Sequence, residues 1–324
     1  MKAVVFDGAL GLADLPRPHL SGEAVVRVER AGICGTDTAI ASGGYRVQGP
    51  LVLGHEIFGV VDEAPRPDLV GKRVVTEINV SCGECYFCSR GMNTHCAHVR
   101  ALGIDRDGGF AEFVSTPVEN LHLVPDGVGD DQAAFVEPLA AAVQLTKMGP
   151  IAPGSSCLVL GSGRLGLLIV QVLRLARPRV MVAVGRGGRK LDLAKKLGAD
   201  YVFPRGDEGK AMELTGGNGF ENVVEATGTS EGIGTALQLV APRGTVHVKS
   251  THGLPCQVDL TRAVIREVRI QGSRCGPFPE AIDLLSRGEV EVDEMVTHRF
   301  GLERFGEAFD AASSGQAIKV LFEV

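Results

Sequence analysis

The chain reads as an α/β protein of two domains, an antiparallel barrel-like domain followed by a doubly wound parallel sheet. Three observations predict this. The 324 residues suffice for two domains of ordinary size. Up to about residue 125 the apolar runs are short, β-prone and separated by Gly and Pro. From about residue 150 strand-like and helix-like runs alternate, which is the pattern of βαβ units.

The opening MKAVVFDGAL is too short in apolar length and too acidic for a secretory signal, and reads as a strand. AVVRVERAGI, FGVVDEAP and GKRVVTEINV supply further strands of the first domain. After the loop Pro150–Gly154 the run CLVL (157–160) predicts a strand leading into a helix from about 164 to 176. VMVAV, the helical RKLDLAKKLGA and the strand YVF follow, and ENVVEATG, TVHVKS and VRIQGS continue the sheet. Beyond about residue 275 the texture is mixed and ends in the strand-like AIKVLFEV, which could complete the first domain or edge the sheet. No tandem repeat or low-complexity segment interrupts the chain.

Hydrophobic residues make up 44% and charged residues 22%, enough to bury sizeable cores. The net charge of −6, with no long basic run, argues against a nucleic-acid groove or a polybasic membrane patch. No apolar run approaches the roughly 20 residues of a membrane span. The expectation is a cytoplasmic protein, where clustered cysteines favour metal over disulfides.

Four cysteines lie close together: Cys82, Cys85, Cys88 and Cys96, spaced C-x2-C-x2-C-x7-C. Four thiolates can close a tetrahedral shell around one zinc ion and leave no open position, so this metal would hold a lobe in shape. An iron–sulfur site is the first rival, but the bacterial ferredoxin run continues x3-C-P, whereas here the fourth cysteine precedes Ala97. A pair of disulfides is the second, disfavoured by compartment. His95 and His98 read as bystanders, and Cys157, Cys256 and Cys275 as packing residues.

Gly161-Ser162-Gly163-Arg164-Leu165-Gly166 follows a strand and opens a helix, the context a dinucleotide fingerprint requires. Gly161 permits the turn, Gly163 lets the backbone approach a pyrophosphate, and Gly166 lets helix and strand pack closely. The pyrophosphate would sit on the amides of Arg164 and Leu165. A glycine-rich turn without a ligand is the plain alternative. At the end of the second strand, where an acid would hold the ribose 2′-hydroxyl of NAD, this chain has Gly185, then Arg186, with Arg189 and Lys190 near. One charge-assisted hydrogen bond is worth about 1.5–3 kcal/mol, or at least tenfold in preference. The expectation is NADP, its 2′-phosphate gripped by Arg186, with NAD as the alternative. The competing reading is that these cations line only a solvated loop.

Three further segments carry metal-ligand residues: Gly32-Ile33-Cys34-Gly35-Thr36-Asp37, Gly54-His55-Glu56 and Glu137-Pro138-Leu139. Each alone is weak. In this order, with the four-cysteine loop between the second and third and the dinucleotide pattern after them, they resemble the zinc-dependent medium-chain alcohol dehydrogenases. GKRV (71–74), GGFAEF (108–113) and THRF (297–300) match further. The Glu-Pro at 137–138 is similar to the sorbitol, glucose and threonine dehydrogenase branch.

The resemblance implies a GroES-like zinc domain over residues 1–126 and 273–324, interrupted by a Rossmann cofactor domain over 127–272. It implies that Cys34 and His55 bind a catalytic zinc, with Glu56, ranked slightly ahead of Glu137, as third ligand, and two zinc ions per chain in all. One thiolate, one imidazole and one carboxylate leave a zinc position open for water or substrate. The implied activity is hydride transfer between NADP and a sugar, polyol or secondary alcohol, with zinc as Lewis acid. Thr36 would start the proton relay; the histidine that often ends it is replaced by Ala39, leaving Asp37, water or a ribose hydroxyl. A helix N-cap is the alternative role for Thr36. His298 would order the domain interface, and Lys319 would lie near the cofactor pyrophosphate. Relatives are dimers or tetramers, so a homo-oligomer is expected. Two other functions stay in view: a zinc-free quinone reductase of the same superfamily, and a non-catalytic nucleotide-binding redox sensor.

Overall fold

The computed structural model describes residues 1–19, 22–251, 253 and 255–324. The chain divides into two compact units, one of residues 1–137, 278–288 and 292–324, the other of residues 138–277 and 289–291. Among the described residues no helix is long and apolar enough to cross a membrane.

The first unit is built around the nine-residue strand Ala24–Gly32. Its β-branched valines suit a pleated, half-buried surface. It pairs antiparallel with Glu56–Glu63, Phe113–Thr116 and the C-terminal strand Lys319–Glu323. The C-terminal strand buries four of its five residues and lies between Ala24–Gly32 and Val296–Phe300. The tail therefore supplies an internal strand of the first unit's sheet. Phe110 anchors the core beneath it, edge-on to Phe322 at 4.9 Å and to Phe309 at 6.0 Å.

The second unit is a six-stranded, all-parallel sheet. Its order is Tyr201–Pro204, Val180–Gly185, Ser156–Leu160, Phe220–Glu225, Val240–Val248, Arg269–Gly272. Ser156–Leu160 is buried at every residue, as a strand covered on both faces must be. The order reverses between Ser156–Leu160 and Phe220–Glu225, which opens a crevice beyond their carboxyl ends. The helix Arg164–Leu175 starts at that crevice and packs an unbroken buried run, Gly166–Leu173, against the sheet.

Candidate active site and metal centres

Cys34 is the N-cap of the short helix Gly35–Ala41, and its amide donates to Asp37 Oδ2 at 2.7 Å. His55 precedes the strand that begins at Glu56, and that strand's register sets Glu56 beside Gly32. One ligand atom each from Cys34, His55 and Glu56 falls within 4.8 Å of the others. His55 Nδ1 lies 3.6 Å from Asp37 Oδ1, both buried and both without a hydrogen bond. Burial opposes a charge on His55, but Asp37, then Cys34 and Glu137, outweigh it and raise its pKa to about 10. A pocket negative enough to hold a proton on a buried imidazole favours a divalent cation, and the thiolate–imidazole–carboxylate donor set fits zinc.

Glu56 also faces Lys319, and neither side chain has any exposure. Both stand over Gly32, where a Cβ would intrude on the carboxylate and the ammonium alike. Burial lowers the Lys319 pKa to about 7, although Cys34 and Asp37 act to raise it. The Lys319 ammonium points to Glu56 and has Phe135 5.4 Å away. Glu137 stands in the first turn of Val136–Met148 and is outside the Cys34–His55–Glu56 trio, though His55 feels its charge. Thr36 is the second residue of the helix that Cys34 caps, so it does not cap that helix.

The four cysteines of the lobe converge. Cys85 Sγ is 3.5 Å from Cys88 Sγ and 3.8 Å from Cys96 Sγ, and Cys82 and Cys96 are 3.5 Å apart. A tetrahedron with Zn–S bonds of about 2.3 Å has edges of about 3.8 Å, whereas a disulfide needs about 2.05 Å. These separations match the edges of such a tetrahedron and are too long for a disulfide. The amides of Cys82 and His98 each donate to Cys96 Sγ at 3.3 Å, so His98 serves through its backbone. Backbone amides draw Cys85 down to about 6, while burial and its neighbours push Cys88 up to about 11. Of the remaining cysteines, Cys157 is buried, with its thiol pushed up to about 11 by burial. Cys256 is exposed, which corrects its reading as a packing residue.

In the second unit a cavity of ≈ 300 Å³ opens at the crevice, lined by Gly161, Gly163, Gly185, Arg186 and Lys190 among others. Gly161 has φ +110, and a Cβ there would strike the carbonyl of Ala226. Gly163 is the helix N-cap with open space where a Cβ would be, so a ligand can approach the amides of Arg164 and Leu165. A Cβ on Gly166 would meet the Gly161 carbonyl, consistent with close helix–strand packing. Arg189, first residue of the helix Arg189–Lys196, does not line the cavity. Arg205 does, and sequence reading missed it. Burial, then Arg186 and Arg164, lower the Lys190 pKa, so this cationic wall favours an anion.

A family model for the alcohol dehydrogenase GroES-like domain matches residues 20–126, and one for zinc-binding dehydrogenases matches residues 165–287. D-arabinitol dehydrogenase 1 of Uromyces fabae is 33% identical over 312 residues, covering 92% of this chain and 89% of the relative. A candidate zinc-binding dehydrogenase of Sinorhizobium meliloti 1021, solved with NADP, superposes with TM-score 0.92 at 31% identity, covering 100% of this chain and 99% of that one. RspB of Escherichia coli CFT073, solved with NADH, superposes with TM-score 0.91 at 30% identity, with the same two coverages.

Proposed function

Because the chain belongs to the zinc-dependent medium-chain alcohol dehydrogenase family, we propose that it oxidises a sugar, polyol or secondary alcohol with NADP. The observation that carries this reading is the convergence of half-buried Cys34 with buried His55 and Glu56 beside the buried Asp37, with Thr36 two residues after Cys34 in the chain. When bound, zinc supplies Lewis-acid activation of the alcohol and NADP the hydride acceptor. Cys34 and His55 would hold the catalytic metal with Glu56, while the Asp37 carboxylate adds its negative charge beside His55. Glu137 acts on the site through its charge, and Thr36 takes the alcohol proton toward Asp37 or water. Cys82, Cys85, Cys88 and Cys96 would hold the second zinc, which has no open position.

Gly161, Gly163 and the amides of Arg164, Leu165 and Gly166 would cradle the pyrophosphate, with Arg186 and Lys190 at the 2′-phosphate. The catalytic domain is assigned to residues 1–126 and 273–324, and the cofactor domain to 127–272. The reading carries a cytoplasmic homo-oligomer, dimer or tetramer. A zinc-free quinone reductase or a redox sensor needs neither metal cluster, so neither is favoured.

The test is a panel of polyols, aldoses, simple alcohols and L-threonine, followed by NADPH absorbance with NAD as control, alongside zinc analysis. Two zinc ions per chain and NADP-dependent turnover are expected. Equal catalytic efficiency with NAD and NADP would sink the cofactor assignment, as would an Arg186→Asp variant that kept its NADP preference. A protein without zinc would sink the mechanism.

A further inference from the structure

We infer that Arg205 is a second guanidinium for the adenosine 2′-phosphate of NADP, and so a specificity-determining residue of the nucleotide cleft; the inference rests on the NADP reading above. Sheet register brings Arg205 there. Strand Tyr201–Pro204 pairs in parallel with Val180–Gly185, and Pro204 lies opposite Gly185. The next residue therefore passes the carboxyl end of the neighbouring strand, and the Arg205 amide donates to the Gly185 carbonyl at 2.8 Å. Arg186 leaves the same strand end along the chain. Two arginines from two strand ends thus meet Gly185 through their backbones, and both line the cleft together with Lys190.

The charges of this wall call for an anion. Three cations, Arg186, Lys190 and Arg205, stand against two lining acids, Glu208 and Glu231. Glu208 is occupied: its two oxygens accept the Gly206 amide at 3.1 and 3.0 Å. Glu231 lies in the field of Arg205 but accepts the Ser230 hydroxyl at 3.0 Å. A phosphate monoester dianion presents several acceptor oxygens, and guanidiniums meet such groups with paired, charge-assisted hydrogen bonds. NAD has no 2′-phosphate for a second guanidinium to meet. The alternative role for Arg205 is to offset the charge of Glu231.

Those two roles separate in a binding experiment on the full-length protein, using 2′,5′-ADP and 5′-AMP as probes and isothermal titration calorimetry as readout. The wild type is expected to bind 2′,5′-ADP at least about tenfold more tightly than 5′-AMP. Arg205→Gln is expected to weaken 2′,5′-ADP by about tenfold while 5′-AMP stays within about twofold, with melting temperature unchanged. Arg205→Lys, which keeps the charge and loses the fork, should fall between. If Arg205→Gln leaves 2′,5′-ADP binding intact, or weakens both probes alike, while Arg186→Gln weakens 2′,5′-ADP selectively, the NADP reading stands and the inference on Arg205 is overturned. If the wild type binds both probes equally, the NADP reading fails and Arg205 has no phosphate to read.

Discussion

The Lys319 ammonium and the Glu56 carboxylate form an ion pair with no exposure on either side, over the bare backbone of Gly32. Lys319 begins the C-terminal strand and Glu56 begins another, and both strands pair with Ala24–Gly32. The pair therefore couples the chain's last strand to the residue beside His55.

Breaking a buried pair on one side leaves an uncompensated charge. With zinc removed by chelation, so that no metal shares Glu56, Lys319→Met is expected to destabilise the protein by about 3–5 kcal/mol, read as a lowered urea midpoint. The double variant Lys319→Met, Glu56→Gln should recover part of that loss, because the orphaned carboxylate is gone. A double variant as unstable as the sum of the singles would show that the two groups are energetically independent.

Thr36 is the first hydroxyl after Cys34 and has no capping duty. Thr36→Ala is expected to lower kcat by about 10²-fold or more, with KM changed far less, while Thr36→Ser keeps most of the turnover. Steady-state kinetics at saturating NADP decide it. Normal turnover in Thr36→Ala would remove the hydroxyl from the proton path.

In the lobe, secondary structure is limited to single turns at Cys88–Arg90 and Asn93–His95, so its shape depends on the four sulfurs. Cys88→Ser is expected to drop zinc content from two ions per chain to one and to expose residues 82–96 to protease. Binding of 2′,5′-ADP should persist, because the nucleotide cleft belongs to the second unit. Elemental analysis and limited proteolysis read the two effects. Unchanged zinc content would break the assignment.

His247 lies 3.2 Å from Asn222 Oδ1 through Nε2, with Nδ1 buried and without a partner. Burial lowers its pKa from 6.5 to about 4. The native state thus holds it neutral while the unfolded chain binds a proton between those values. Above pH 6.5 the group has no effect on stability; as pH falls from 6.5 to about 4 it costs up to about 3 kcal/mol. Replacing His247 by Gln should flatten the acid side of the stability profile in that window, measured by urea melts at pH 7 and pH 5. Parallel slopes for the two proteins would exclude His247.

The parts of the site that were legible in sequence are those in which local chemistry repeats local structure. Gly161–Gly166 needed only a strand before it and a helix after it, and the four cysteines needed only their spacing. Glu56 over Glu137 in the trio was legible only as a ranking, because both carboxylates fit the chemistry and only strand register chooses which one stands beside Cys34. Arg205 was invisible, since nothing in YVFPRGDE says that this strand lies against Val180–Gly185. The pairing of Lys319 with Glu56 was invisible for the same reason: the two lie on different strands, and spacing along the chain carries no information about antiparallel register. The role of Cys256 failed differently, because exposure at an irregular segment leaves no periodic trace.

Gly185 carries a consequence for any redesign of cofactor preference. A Cβ at this position would collide with the Ser162 side chain and come within 2.9 Å of the Ser162 amide nitrogen. The single substitution Gly185→Asp therefore cannot simply graft a ribose-binding carboxylate onto the strand end; it would disturb the glycine turn that the pyrophosphate is meant to use. Shrinking Ser162 first relieves only the side-chain part of the clash. Placing a carboxylate at this strand end is thus an epistatic problem spread over two strand ends, in which the order of substitutions decides whether the intermediates still bind a nucleotide.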